Sequence, residues 1–101
     1  MKPEIDEVYT FKLITGEELV AKILEIDNDY FVIKEPISCI LSPQGLQMMP
    51  TLFSANKDKN VRLNNSSCAM IADVREDVRS SYIQATTGIA PVSKDRKSTR
   101  L

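Results

Sequence analysis

The sequence predicts a mainly β protein, a small and strongly bent five-stranded barrel that is followed by one α-helix. Two observations lead to this prediction. Apolar and polar residues alternate along most of the first 72 residues, which is typical of strands that are buried on one side. After residue 73 the apolar residues recur about every 3.6 positions, which is typical of an amphipathic helix.

The first two strands are predicted on either side of Gly16, at residues 9–14 and 19–24. Tyr, Phe and Leu alternate with Thr, Lys and Ile in the first strand, and the second strand alternates in the same way. Glycine adopts the positive φ that a tight hairpin requires, so residues 15–17 are predicted to form the turn between these strands.

The third strand is predicted at residues 30–41, after a turn formed by the Asp-Asn-Asp sequence at residues 27–29. Asparagine and aspartate tolerate the left-handed conformations that turns use. Pro36 interrupts this strand, and because proline cannot donate a ladder hydrogen bond we expect a bend or bulge there.

The next segment, Ser-Pro-Gln-Gly at residues 42–45, matches a type I turn with proline second and glycine fourth. A fourth strand is predicted at 46–53, interrupted by Pro50, and a polar loop follows at 54–60. A short strand at 61–63, a turn at 64–67 and a last strand at 68–72 complete the β part of the chain.

A helix is predicted at residues 74–87. Its apolar face consists of Val74, Val78, Tyr82 and Ala85. Asp73 and Glu76 resemble a capping box at its start, and Gly88 is placed to end it. The apolar face is expected to pack on the barrel, and a partner-binding helix is the alternative. The domain is predicted to span residues 1–90, followed by a basic tail at residues 91–101.

Charge is distributed unevenly along a chain whose formal net charge is −1. Residues 1–35 contain nine acids and four bases, a balance of −5, and residues 36–101 contain five acids and nine bases, a balance of +4. An assembly of such chains could carry one acidic and one basic surface, or merely two solvated faces that differ. The basic tail is interpreted either as a solubilising end or as a phosphate-binding arm.

The residue content argues against an enzyme and against a bound cofactor or metal. The chain has no histidine and no Cys-x-x-Cys, which excludes the Ser-His and Cys-His nucleophile systems and the usual zinc sites. Asp27 and Asp29 resemble the start of a calcium loop, but Phe31 occupies the next ligand position. Cys39 and Cys68 lie among apolar residues and are expected to be buried free thiols. No membrane span or signal peptide is predicted, so we expect a cytoplasmic protein.

Residues 13–33 resemble the first motif of the Sm-like family, the SH3-like barrels of spliceosomal Sm proteins and of the bacterial host-factor RNA chaperone. The residues that carry this resemblance are the Gly16 turn, Leu19, Ala21, Ile23 and the pair Ile26-Asp27. The small Ala21 would allow the second strand to curl tightly.

A second family motif, apolar-Arg-Gly-Asn, has a looser counterpart at residues 61–64, where Leu63 replaces the glycine. Phe31 occupies the place of the RNA-contacting asparagine, and the family's N-terminal helix is missing. With its C-terminal helix, the layout is similar to small Sm-like proteins of tailed phages, for which the location would be the host cytoplasm.

The resemblance implies a homo-oligomeric ring of five to seven subunits, in which the fourth strand of one copy pairs with the last strand of the next. The residues that it places in this subunit interface are Leu46, Met48, Leu52, Cys68 and Met70.

The resemblance also implies that single-stranded RNA binds at the inner rim of the ring. Carried over by position, the RNA-binding residues are Asp27, Arg62 and Asn64, with Phe31 stacking on a base in place of the lost asparagine. Each has a structural alternative: turn formation for Asp27 and Asn64, the core for Phe31 and a solvated strand end for Arg62. A functional alternative is a viral protein-assembly module that binds no nucleic acid.

Overall fold

A computed structural model of the chain describes residues 1–88 as one antiparallel sheet and one helix. The strands are β1 (Val8–Leu13), β2 (Glu18–Ile26), β3 (Tyr30–Ser42), β4 (Gly45–Pro50), β5 (Val61–Asn64) and β6 (Cys68–Asp73). A single 3-10 turn (Asn65–Ser67) joins β5 to β6, and the helix α1 (Glu76–Thr87) follows. The mainly β prediction is confirmed, but the sheet has six strands rather than five.

The strand order is β4-β3-β2-β1-β6, and β5 pairs with β3. The sheet is therefore not closed among the described residues, since β4 and β6 end it on opposite sides. β4 stops at Pro50, earlier than the predicted 46–53 strand. The sixth strand is β5, which corresponds to the short strand predicted at 61–63 and pairs with a different part of β3 from β4.

The long strand β3 has two halves that meet at a bulge. Its first half pairs with β5, from Tyr30 opposite Asn64 to Ile33 opposite Val61. Its second half pairs with β4, from Ile37 opposite Pro50 to Ser42 opposite Gly45. Between the halves, Glu35 has a φ of 45° and the register with β2 shifts. This irregularity next to Pro36 confirms the predicted bend.

The bulge directs the two halves of β3 into different cores. Ile33 and Ile37 are four residues apart and would share one face of a regular strand. Instead, Ile33 packs in a first core with Tyr9, Phe11, Leu19, Ala21 and Ile23. Ile37 packs in a second core with Val8, Val20, Val78 and Tyr82, between the sheet and α1. The predicted packing of the helix on the sheet is thereby confirmed, although Ala85 is exposed.

The helix begins later than predicted, at Glu76 rather than at residue 74. The N-cap is Arg75, which makes no side-chain capping bond, so the predicted capping box is wrong. Asp73 is instead the last residue of β6, where it pairs with Tyr9. The predicted helix end is confirmed: Gly88 has a φ of 76°, and its N–H donates to the carbonyl of Gln84 at 2.8 Å.

Tyr82 connects the helix by hydrogen bonds to the bulge between β2 and β3. Its hydroxyl donates to the carbonyl of Lys34 at 2.5 Å and accepts a bond from the amide of Lys22 at 3.2 Å. The register between β2 and β3 shifts next to both residues. The hydroxyl therefore forms hydrogen bonds with two main-chain groups where the ladder between β2 and β3 is interrupted. Burial raises the pKa of this phenol to about 12.

The predicted turns at Gly16 and at residues 27–29 are confirmed. Gly16 has a φ of 97°, in the region that favours glycine. The amide of Asp27 donates to the carbonyl of Tyr30 at 2.9 Å and closes the turn between β2 and β3. Among the helices of residues 1–88, none is long and apolar enough to cross a membrane.

Candidate nucleic-acid interface and sheet edges

Two turns that are distant in sequence meet at one end of the sheet. The amide of Asn65 donates to the carbonyl of Asp29 at 2.9 Å, and its side-chain Nδ2 donates to the carbonyl of Asn28 at 2.9 Å. These bonds join the β2–β3 turn to the 3-10 turn after β5. The structure thus brings the regions of Asp27 and Asn64 together, as the resemblance implies.

Asn65 is the residue of this site that sequence reasoning missed. It was one of several polar residues in the predicted 64–67 turn, and nothing local distinguished it from its neighbours. Its side-chain Oδ1 is buried and accepts no hydrogen bond from residues 1–88. That oxygen is an acceptor for which a ligand or a water molecule could supply a donor.

Arg62 lies over an aromatic ring at the same end of the sheet. Its guanidinium carbon is 4.3 Å from the ring centroid of Tyr30, and its Nε donates to Oδ1 of Asn64 at 3.1 Å. Such a cation–π contact at an exposed site contributes about 0.5–1 kcal/mol and restrains the guanidinium near the ring. The bond to Asn64 uses only Nε of the five guanidinium donors.

Phe31 is half-buried, and its ring belongs largely to the first core. It meets Phe11 edge to face, with ring centroids 5.7 Å apart and an interplanar angle of 65°. Only the part of the ring that solvent reaches could stack on a base. The structure therefore gives Phe31 a packing role, and base stacking by this residue stays a prediction.

Two carboxylates give the site a mixed charge. Asp27 and Asp29 are exposed in the turn that contacts Asn65, and Oδ1 of Asp27 accepts a bond from the amide of Asn28 at 2.6 Å. Carboxylates repel phosphates but accept hydrogen bonds from the amino and imino groups of bases. The arrangement is thus better suited to base edges near Asp27 and to phosphate or stacking contacts near Arg62.

The two ends of the sheet expose apolar side chains. Among the described residues, β4 pairs only with β3, and β6 pairs only with β1. Three predicted interface residues are exposed there, namely Leu46, Leu52 and Met70, the last by 67%. Met48 and Cys68 instead point inward and pack against the second and the first core.

Sequence reasoning missed four further exposed apolar residues in this region, which are Ile40, Leu41, Met49 and Phe53. All four lie in the β3–β4 hairpin or directly after it. The alternation of apolar and polar residues predicted the strands. It did not predict which faces of the sheet no other part of the chain would cover.

Neither cysteine has the environment of a reactive thiol. Both thiols are free and partly buried, and burial raises the pKa of each. The thiolate that a nucleophile or a metal ligand requires is thereby disfavoured. Within residues 1–88, no three acidic, cysteine or histidine side chains are grouped so as to hold a metal ion.

Comparison of the sequence with models of known protein families found no match, and a search of curated proteins found none either. The geometry described above is accordingly the basis for a functional assignment.

Proposed function

We propose that this chain is an Sm-like protein that assembles into a homo-oligomeric ring and binds single-stranded RNA at the junction of the two turns. The observation that supports this best is the pair of free edges, β4 and β6, which lie at opposite ends of one sheet and expose apolar side chains.

Pairing of β4 in one copy with β6 in the next would cover both edges. An uncovered strand edge invites pairing with another chain, and a head-to-tail contact closes into a ring when its rotation divides a full turn. Pro50 is the last residue of β4, so the donor that proline lacks is missing only at the end of this ladder. Leu46 and Met70 would then be buried between subunits.

The RNA part of the proposal is supported by Arg62, Tyr30 and Asn64. A guanidinium held against an aromatic ring offers charge to phosphates and a flat surface to bases. In a ring, this group would recur once per subunit, and a single strand could contact several copies. Affinity would then exceed that of one site through multivalency.

A second function, protein assembly without nucleic acid, is favoured by the two carboxylates and by Phe31. Asp27 and Asp29 are exposed in one of the two turns that form the junction, and Phe31 packs on Phe11. In this function the edges assemble the ring, and the junction of the turns has only a structural role.

The native mass of the particle and its ultraviolet spectrum test the assembly. We expect a mass of five to seven copies of the 11.4 kDa chain. The double variant Leu46→Lys with Met70→Lys should lower this mass, because each lysine would be desolvated in the interface. The control is Ile5→Lys, an exposed apolar residue before β1 that lies on neither edge. A wild-type particle of one chain contradicts the proposal.

Filter binding of short U-rich and A-rich RNAs over a salt series tests the RNA function. Arg62→Ala should weaken binding and reduce the slope of log affinity against log salt by roughly one phosphate contact. Arg75→Ala is the matched control, since Arg75 is an exposed arginine that pairs with Asp77 at the start of α1. An intact ring without salt-sensitive RNA binding would leave assembly as the function.

A further inference from the structure

A groove of about 580 Å³ lies beside the C-terminal end of α1. The strand β4 and the segment after it form its other side. Its principal apolar lining residues are Ile37, Met48, Pro50, Leu52, Phe53 and Ala85. Phe53 is 82% exposed, which is unusual for a large aromatic side chain with no partner surface. The groove thus presents apolar surface that residues 1–88 do not cover.

The helix α1 ends beside this groove. Ala85 and Thr86 line the groove, and Gly88, two residues later, ends the helix in the left-handed conformation. Residues 89–92 are Ile-Ala-Pro-Val, an apolar segment that lies outside the described residues. Four extended residues reach about 13 Å, so these residues are long enough to enter a groove that begins at Ala85.

We propose that residues 89–92 bind in this groove of the same chain. A proline disfavours helical conformation in the residue before it, so Ala90 and Pro91 favour an extended segment that suits a shallow groove. Ile89 and Val92 supply the apolar groups that would cover Leu52 and Phe53. The helix cap sets the starting point of the segment, which lowers the entropy cost of binding relative to a separate peptide.

The charges around the groove favour binding of the apolar residues 89–92 over binding of the basic residues that follow them. The charged lining residues are Glu35, Lys57 and Lys59, with a balance of +1. The first base of the tail is Lys94, and a positive rim does not attract it. Binding should therefore depend little on salt. It would also place the start of the basic tail beside β4 and exclude other apolar partners from the groove.

The test uses the fluorescent dye 1-anilinonaphthalene-8-sulfonate, whose apolar rings and sulfonate suit an apolar groove with lysines at its rim. The full-length wild type should bind the dye weakly. The variant Ile89→Asp with Val92→Asp should bind it about tenfold more tightly, because release of the segment opens the groove. Ser93→Asp with Ser98→Asp adds the same charge to the same tail and should leave dye binding unchanged.

A groove variant identifies where the dye binds. Ala85→Glu, placed in the Ile89→Asp and Val92→Asp background, should remove the added dye binding, since Ala85 is exposed and its replacement fills the groove. Wild type that binds the dye as tightly as the tail variant would overturn the proposal. Wild-type dye binding that increases on dilution of the protein would also overturn it, because a second copy would then occupy the groove.

Discussion

The two halves of β3 belong to one strand but have opposite environments. In the first half, Ile33 is 1% exposed and packs in the first core, and β5 pairs with this half. In the second half, Ile40 is 47% and Leu41 82% exposed, although β4 pairs with this half. Both halves are apolar in sequence, so composition alone does not separate core from surface.

The difference shows which apolar side chains of β3 are covered by the same chain and which are left exposed. The first half pairs with β5 of the same chain, and its side chains are buried at Ile33 and half-buried at residues 30–32. The second half pairs with β4, but no other element packs over Ile40 and Leu41. Among the described residues, β4 has no further strand on its other side. An apolar surface of this kind next to a free edge is typical of an interface between chains.

Replacement of Ile33 by alanine should produce the largest effect. Removal of a fully buried isoleucine from a packed core costs about 2–5 kcal/mol of unfolding free energy. The matched control is Ile40→Ala, which makes the same change in the second half of β3, where the side chain is 47% exposed. Urea unfolding at one fixed protein concentration measures both variants.

Ile40→Ala should change the unfolding free energy by less than about 1 kcal/mol while lowering the native mass, if the second half is an interface. Equal destabilisation by the two variants would contradict the distinction between the halves. Measurement over a range of protein concentrations separates the two contributions, because only an interface effect depends on concentration.

Sequence reasoning predicted the hairpins because their signals are local. Gly16 has a positive φ that few other residues tolerate, and Asp and Asn are common turn residues. The Asp-Asn-Asp turn at residues 27–29 forms without any residue at positive φ, so the left-handed conformation expected there is not used. Pro36 likewise indicated the irregularity in β3. The sequence did not reveal that Glu35 adopts the left-handed conformation there, since glutamate has no local preference for it. Without that residue, the change of face between Ile33 and Ile37 could not be predicted.

Tertiary pairing explains the elements that were predicted incorrectly. The Asp73 and Glu76 pattern indicates a helix cap, but pairing of Asp73 with Tyr9 retains it in the sheet. The turns that contain Asp27 and Asn64 meet, as the resemblance implies, and the binding of RNA there stays a prediction. The side-chain bond of Asn65 that helps to join the turns links residues 37 positions apart, so no local pattern could reveal it. The contact of Arg62 with Tyr30 likewise depends on the pairing of β5 with β3, which the sequence does not reveal.

Replacement of Tyr82 by phenylalanine should produce the next largest effect, at the junction of the two halves. The variant keeps the ring in the second core but leaves the carbonyl of Lys34 and the amide of Lys22 without their bonds to the hydroxyl. A buried polar group without a partner costs about 1–3 kcal/mol. Urea unfolding measures the loss. The control is Thr86→Val, which removes a half-buried hydroxyl that donates only to carbonyls within α1.

Because of the Tyr82 phenol, we expect the stability of the folded state to fall at high pH. Burial raises the pKa of Tyr82 to about 12, above its ordinary value of about 10. The folded state thus holds this proton more tightly than the unfolded state does. The contribution to stability is complete below pH 10 and is lost as the pH rises toward 12. Tyr82→Phe should lose less stability over this window, and absorbance at 295 nm should lose its latest-titrating component.

Replacement of Glu35 by glycine should produce the smallest effect, and in the opposite direction. Glu35 has a φ of 45°, where an L side chain is disfavoured by about 1–2 kcal/mol and glycine is not. Part of the gain is offset by the greater freedom of glycine in the unfolded chain, so we expect a stabilisation of about 0.5–1 kcal/mol. Lys34→Gly, one residue earlier in β3, should instead destabilise by about 0.5–1 kcal/mol. Urea unfolding of the two variants side by side measures both changes. Destabilisation by Glu35→Gly would mean that the side chain, rather than the backbone conformation, maintains the bulge that separates the two halves of β3.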